Sequence, residues 1–200
     1  MKGNPMVRRS RLLVVLTACC CVAGCHDPKP PVSNGGSMSP TPKNSEPGPI
    51  DVRETQYING ELATRTEGYV DADGSFVPHG KVQQFWENGQ QKSEDHYVHG
   101  IRNGKRTAWY EDGVMWSTGE VVDGREDGLW IVWYRNGKKA KESHYKKGAW
   151  HGLFTYWHPN GQKRSEVEFV MGKRQGTYTE WDEFGTVLKQ YDYVDDIAQP

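Results

Sequence analysis

Histidines and carboxylates at recurring positions are where a metal or acid–base site would have to arise in this chain. His79 and His151 stand 72 residues apart and His96 and His144 stand 48 apart, both multiples of 24. If each 24-residue step adds two strands at about 4.8 Å each, or roughly 10 Å, the first pair is separated by about 30 Å and the second by about 20 Å. Zinc needs its ligands within about 2.1 Å, so neither pair shares an ion, and the histidines are expected to be structural or surface residues. Glu142 and Glu166 lie one step apart, about 10 Å, in equivalent surroundings, the opposite of a carboxyl pair tuned apart as acid and base. Asp71-Ala72-Asp73-Gly74 is similar to the opening of a calcium loop, but the twelfth position is Val82 where a bidentate Glu is required, so a turn is expected. Neither a Gly-x-Ser-x-Gly, a His-Glu-x-x-His nor a phosphate-cradling Gly-rich loop occurs. The expectation is a non-enzymatic protein with no metal and no cofactor.

The eight tryptophans are the other candidates for chemistry, by contact rather than catalysis. Phe85, Trp109, Trp133, Trp157 and Trp181 form a rung with a 24-residue step, as expected of side chains that pack one unit on the next. Trp116, Trp130 and Trp150 lie off that rung and are the candidates for an exposed binding face, where aromatic residues dominate binding energy. Arg164 is expected to face Trp157 across a hairpin as a cation–π pair.

Glycines set the frame for these residues. Gly80, Gly104, Gly128, Gly152 and Gly176 repeat at 24 residues, and Gly89, Gly113, Gly137, Gly161 and Gly185 keep the same step, as do Gly100, Gly124, Gly148 and Gly172. Such a period marks a unit that stacks on copies of itself to bury its apolar face. Asn88-Gly89, Asp112-Gly113, Asn136-Gly137 and Asn160-Gly161 predict type I′ hairpin turns, flanked by runs rich in Thr, Val, Trp, Tyr and Phe. Segments such as Gly100 to Gly104 and Gly148 to Gly152 are expected to reverse the chain between hairpins. Tyr97, Val121, Tyr145, Phe169 and Tyr193 form a second apolar rung of the opposite parity, so the sequence leaves open which face is inside. A β-bulge would reconcile the two rungs. The fold class read from this pattern is all-β: an elongated single-layer stack of β-hairpin repeats preceded by a disordered linker. The repeats are placed at 80–195, after a degenerate N-terminal cap at 51–79 and before a tail at 196–200. Phe184 in place of the turn Asn marks the last unit as a second cap.

Residues 1–24 read as an export signal, with Lys2, Arg8, Arg9 and Arg11 ahead of an apolar run from Leu12 to Ala23 that is too short for a bilayer core of about 30 Å. Val22-Ala23-Gly24-Cys25 resembles a bacterial lipobox, which implies a diacylglycerol on Cys25; Leu16-Thr17-Ala18-Cys19 is a rival. All four cysteines fall in this segment, so no disulfide or thiolate site is expected in the folded part. Residues 25–50, rich in Pro, Ser and Gly, are expected to be a disordered tether reaching about 30 Å as a coil. The expected location is the cell envelope, anchored by lipid, and the outer membrane if the cell is Gram-negative, since His26 rather than Asp follows the cysteine.

The four basic residues of the signal leave 21 of the 25 Lys and Arg against 26 Asp and Glu, a mature charge of −5. That balance argues against nucleic acid and against anionic lipid as main partners. A protein partner is expected, with membrane contact through the anchor alone and an envelope glycan bound by tryptophans as the alternative.

The run Gly-x-x-x-x-Trp-Tyr-x-Asn-Gly-x-x-x-x-Glu-x-x-Tyr-x-x-Gly, from Gly128 to Gly148 and echoed from Gly80 and Gly152, resembles the variant MORN repeat over roughly Gly80 to Tyr193. In bacteria such arrays are grouped as YwqK-type antitoxin proteins, and related repeats form β-hairpin stacks used as scaffolds. The resemblance implies an interaction role, with antitoxin or immunity function as its sharper form.

Overall fold

The computed structural model of the chain describes residues 48–199. They form fourteen strands: β1 (Asp51–Gln56), β2 (Leu62–Val70), β3 (Phe76–Phe85), β4 (Gln91–Val98), β5 (Ile101–Arg102), β6 (Gly104–Trp109), β7 (Met115–Val122), β8 (Arg125–Trp133), β9 (Lys139–Lys146), β10 (Ala149–Trp157), β11 (Lys163–Val170), β12 (Lys173–Trp181), β13 (Val187–Val194) and β14 (Ile197–Ala198). They make one open antiparallel sheet in which each strand pairs with its neighbours in sequence, and β5 and β6 are one strand interrupted at Asn103, both beside β4. The expected all-β stack of hairpins is what forms. The signal at 1–24, Cys25 and the tether up to residue 47 lie outside the described residues.

Two kinds of turn line the two margins of the sheet, and the sequence reading assigned the type I′ geometry to the wrong one. In the Asn-Gly turns Trp86 N–H donates to the Gln90 carbonyl and Gly89 N–H to the Trp86 carbonyl, 2.8 and 2.9 Å, and only the glycine has a positive φ. This is a three-residue loop, a type I turn closed by a left-handed Gly. The same pair of bonds recurs at Tyr57, Tyr110, Tyr134, His158 and Asp182. Type I′ geometry occurs at the opposite margin, where His99-Gly100, Asp123-Gly124, Lys147-Gly148 and Met171-Gly172 have positive φ at both residues of a two-residue loop. The cost of left-handed backbone at a non-glycine residue is offset there by bonds to the preceding unit. Gly148 N–H donates to the Glu126 carbonyl at 2.8 Å and Lys147 N–H to Asp127 Oδ2 at 2.9 Å.

A bulge is present in every unit, although it does not bring the two rungs onto one face: Trp157 alternates with Tyr156, which lies on the side of Phe154 and Phe169. Between Trp150↔Tyr145 and Phe154↔Ser143, β10 advances four residues while β9 advances two, which places His151, Gly152 and Leu153 opposite His144 alone. Equivalent shifts occur around Gly80, Gly104, Gly128 and Gly176, and these five glycines all have positive φ. A second, one-residue bulge follows each Asn-Gly turn, where Lys92, Trp116, Ala140, Arg164 and Leu188 are the extra residues. Two extra residues leave the alternation of the strand unchanged, so Trp150 and Phe154, on either side of the bulge, lie on one face with Tyr145 and Ser143.

That face holds the core. It contains the buried Val121, Phe154, Val167, Phe169 and Tyr193, with Trp150, Tyr156 and Tyr178 packed around the aromatic cluster at its C-terminal half. Towards the N-terminus the same face is ionic. Asp95 is buried, with Arg102 Nε at 2.9 Å and Arg106 Nε at 3.6 Å. A Gly152→Ala substitution tests the bulge: φ is 104° and an added Cβ meets His144 Cβ at 3.3 Å. The expected loss is about 1–3 kcal/mol in chemical denaturation, against an unchanged β-sheet circular dichroism spectrum.

Candidate interaction surface

Most polar side chains that the sequence offered for chemistry are used to join one unit to the next. Tyr57 and the residues after the rung aromatics Phe85 to Trp157 reach forward to the next rung's carbonyl. Tyr57 Oη donates to Phe85 O at 2.6 Å, Trp86 Nε1 to Trp109 O at 3.3 Å, Tyr110 Oη to Trp133 O at 2.9 Å and Tyr134 Oη to Trp157 O at 2.6 Å. His158 Nε2 continues the series to Trp181 O at 2.9 Å, which requires the proton on Nε2 because a carbonyl only accepts. The turn asparagines run a parallel series, with Asn59 Nδ2 on Glu87 O, Asn88 on Glu111 O, Asn136 on Pro159 O and Asn160 on Glu183 O. Asp112 has no amide to donate, and Arg135 Nε instead approaches its Oδ2 at 3.4 Å. Each neutral bond is worth about 1 kcal/mol net. Sequence reasoning saw the Trp-Tyr and Asn-Gly pairs as local signals and missed that their side chains act between units; the offset, 28 residues at the first unit and 23 from Trp86 onward, was the available clue.

The histidines are divided between two structural tasks. His96 Nδ1 bonds Lys105 O at 3.0 Å and His144 Nδ1 bonds Leu153 O at 3.2 Å, the carbonyls that follow two bulge glycines. His79 Nδ1 accepts His99 N–H at 3.3 Å and His151 Nδ1 accepts Met171 N–H at 3.4 Å, each at a left-handed turn residue. No group of three potential metal-ligating side chains occurs among the described residues. Asp71 Oδ1 accepts Asp73 N–H and Ser75 N–H and so closes a turn.

The three off-rung tryptophans sit in different settings. Trp130 lies on Gly119, where an added Cβ would come within 2.2 Å of the indole, and its Nε1 donates to Glu120 O at 3.1 Å. Trp150 packs against Phe154 and Phe169 with ring centroids at 5.1 and 4.9 Å. Trp116, an extra residue of a hairpin bulge, is 44% exposed. The cation over Trp157 is not Arg164 but Lys139 Nζ, 5.6 Å from the ring centroid and carried by the preceding hairpin; Lys163 stands over Trp181 in the same way at 6.0 Å.

The face opposite the core carries a row of polar side chains interrupted by one aliphatic residue, in register from Glu94 through Thr107, Thr118, Ile131, Glu142, Thr155, Glu166 and Thr179 to Gln190. Its glutamates are engaged. Lys139 Nζ is 2.6 Å from Glu142 and Lys163 Nζ 2.6 Å from Glu166, which also accepts Thr155 Oγ1. Burial pushes the Glu94 carboxyl up, but bonds from Lys81, Gln91 and Gln83 and the Lys81 charge outweigh it and hold the group below its ordinary value. Beyond this row, towards the type I′ turns, the alternation of side chains puts Val98, Ile101, Val122, Leu129, Leu153 and Val170 on the same face, all exposed. Lys105, Glu120, Arg125, Glu168 and Lys173 stand between them as exposed charges.

Two outcomes follow. Trp130→Ala, which uncovers Gly119 and removes a hydrogen bond, is expected to lower stability by about 2–3 kcal/mol, whereas Trp116→Ala stays within about 0.5 kcal/mol in the same denaturation assay. Because the folded pKa of Glu94 is depressed, its contribution is fully present above the ordinary carboxylate value and is lost as pH falls through and below it. A Tm-against-pH curve for Glu94→Gln should therefore be flatter on its acid limb than the parent curve, with the two converging at low pH.

Comparison with known proteins gives a family match at three places and little beyond it. The model described as MORN repeat variant matches residues 78–99, 126–147 and 150–171. No curated protein matches. Among solved structures, the crystal structure of the GtfA/B complex bound to UDP and GlcNAc is similar at 11% identity and a TM-score of 0.25, over 57% of this chain and 22% of that one. A protein of unknown function from Bacteroides fragilis NCTC 9343 is similar at 12% identity and a TM-score of 0.18, over 74% of this chain and 94% of its own. The chain thus spans about a fifth of the first of these structures. The stretch between the first two matched segments is where Asp112 replaces the turn Asn and Val121 the rung Tyr. Variant MORN repeats are thus detected in three places along this sheet.

Proposed function

We propose that the protein is a lipid-anchored, non-enzymatic repeat scaffold that holds a protein partner at the cell envelope. One observation carries the reading: the row of exposed aliphatic side chains Val98, Ile101, Val122, Leu129, Leu153 and Val170 on a single sheet face, interleaved with charges of both signs. An apolar strip rimmed by polar groups is the usual composition of a protein-binding surface, and its mixed charge suits a folded protein rather than a polyanion. The MORN repeat variant match supports a scaffold role. The anchor rests on Val22-Ala23-Gly24-Cys25, and the Pro-rich stretch after it supplies the reach. An immunity or assembly role at the envelope is the sharper form of this reading. Glycan binding by stacked tryptophans is less well supported, because Trp130 and Trp150 are committed to packing and Trp116 is the exposed one of the three.

Affinity capture from detergent-solubilised envelopes tests it, with the full chain as bait beside a Leu129→Glu/Leu153→Glu variant. The expected outcome is one specific protein held by the parent and lost by the variant, whose Tm changes little because both side chains are already exposed. Equal capture by both proteins would sink the proposed surface. Cys25→Ala should move the chain from the membrane to the soluble fraction.

A further inference from the structure

The forward-reaching side chains give the array a direction, and its two ends are chemically unlike. At the C-terminal end position 182, equivalent to Tyr57, Trp86, Tyr110, Tyr134 and His158, is an aspartate with no proton to donate. Asp182 Oδ1 turns back to accept Phe184 N–H at 2.9 Å and Thr186 N–H at 2.8 Å within its own loop. Position 184, equivalent to the turn asparagines, is Phe184 and is 84% exposed. Both forward donors are therefore missing from the last unit. Tyr191, 36% exposed, fills the position held in the interior by Asp95, Gly119, Ser143 and Val167, and it stacks on Tyr178 with centroids 5.2 Å apart.

The N-terminal end is the reverse case. The carbonyls equivalent to those that receive the two series are at Gln56 and Ile58, and no side-chain donor reaches either among the described residues. Ile58 is fully exposed. Among the described residues strand β1 pairs only with β2, and all six of its own residues are exposed. Its charged residues Asp51, Arg53 and Glu54 disfavour indiscriminate strand pairing, which leaves the two acceptor carbonyls as the selective feature of this edge.

We propose that the β1 edge is a docking edge for the terminal hairpin of another repeat array, one that carries Tyr, Trp or His and Asn at the positions equivalent to 158 and 160. A second copy of this chain does not qualify, because Asp182 and Phe184 remove both donors; the last unit is a stop that keeps copies from adding end to end. This inference is independent of the aliphatic strip.

Sedimentation velocity on the full chain in detergent, over a hundredfold range of concentration, tests it. The parent should sediment as one species, whereas Phe184→Asn, which restores one donor, and Asp182→Tyr/Phe184→Asn, which restores both, should self-associate increasingly. Hydrogen exchange on the associated form should slow the amides of Asp51–Gln56. Should the double variant lose its last hairpin, the single variant, which keeps the Asp182 cap, decides. Variants that retain the parent's circular dichroism and stay monomeric, protection elsewhere than β1, or a parent that already associates through β1 would each overturn the proposal.

Discussion

A hydrogen bond from the side chain after each rung aromatic to the next rung's carbonyl is the interaction on which the rest of this protein depends. A sheet one layer thick has few ways to make its hairpins cooperate, since each described strand is hydrogen-bonded only to the strands beside it in the sheet. The Tyr, Trp and His donors span from one hairpin to the next and fix their relative position beside the strand pairing itself. The asparagine series does the same at the turns. Five such bonds along one line, at about 1 kcal/mol each, are comparable with the whole net stability of a small domain.

The second constraint is the left-handed glycine of each bulge. It shifts the register by two residues without changing the face, so that Trp150 and Phe154 both stay with the Tyr97 to Tyr193 rung on the side that holds the core. That core changes character along the chain, from the Asp95 ion cluster to the Phe154 aromatic cluster, although the backbone around both repeats. Two chemically different fillings thus satisfy the same geometry, because the frame is set by backbone register and turn bonds rather than by the shape of any one side chain.

These commitments decide what is left for function. The described histidines, the turn asparagines and the glutamates of the polar row have structural partners, and two of the three off-rung tryptophans are packed. Among the described residues, exposed groups include the aliphatic side chains near the type I′ turns and the β1 edge. A repeat unit that spends its polar groups on its neighbours offers surface, and surface is what a scaffold uses.

The sequence by itself determined the number of units, their length, the all-β class and the hairpin within each, because a 24-residue period of glycine and aromatic residues leaves no room for a helix. It also determined that His96 and His144, or Glu142 and Glu166, stand too far apart to act together. Tertiary structure decided the rest. Whether Asn88 is a turn former or a bridge, which margin takes the type I′ geometry, and whether Trp116 or Trp130 meets solvent all depend on what the adjoining hairpin places opposite them. A period records that positions are equivalent but not which partner each one meets, and the two extra residues at every bulge shift the register and so change which residue each side chain faces across the sheet.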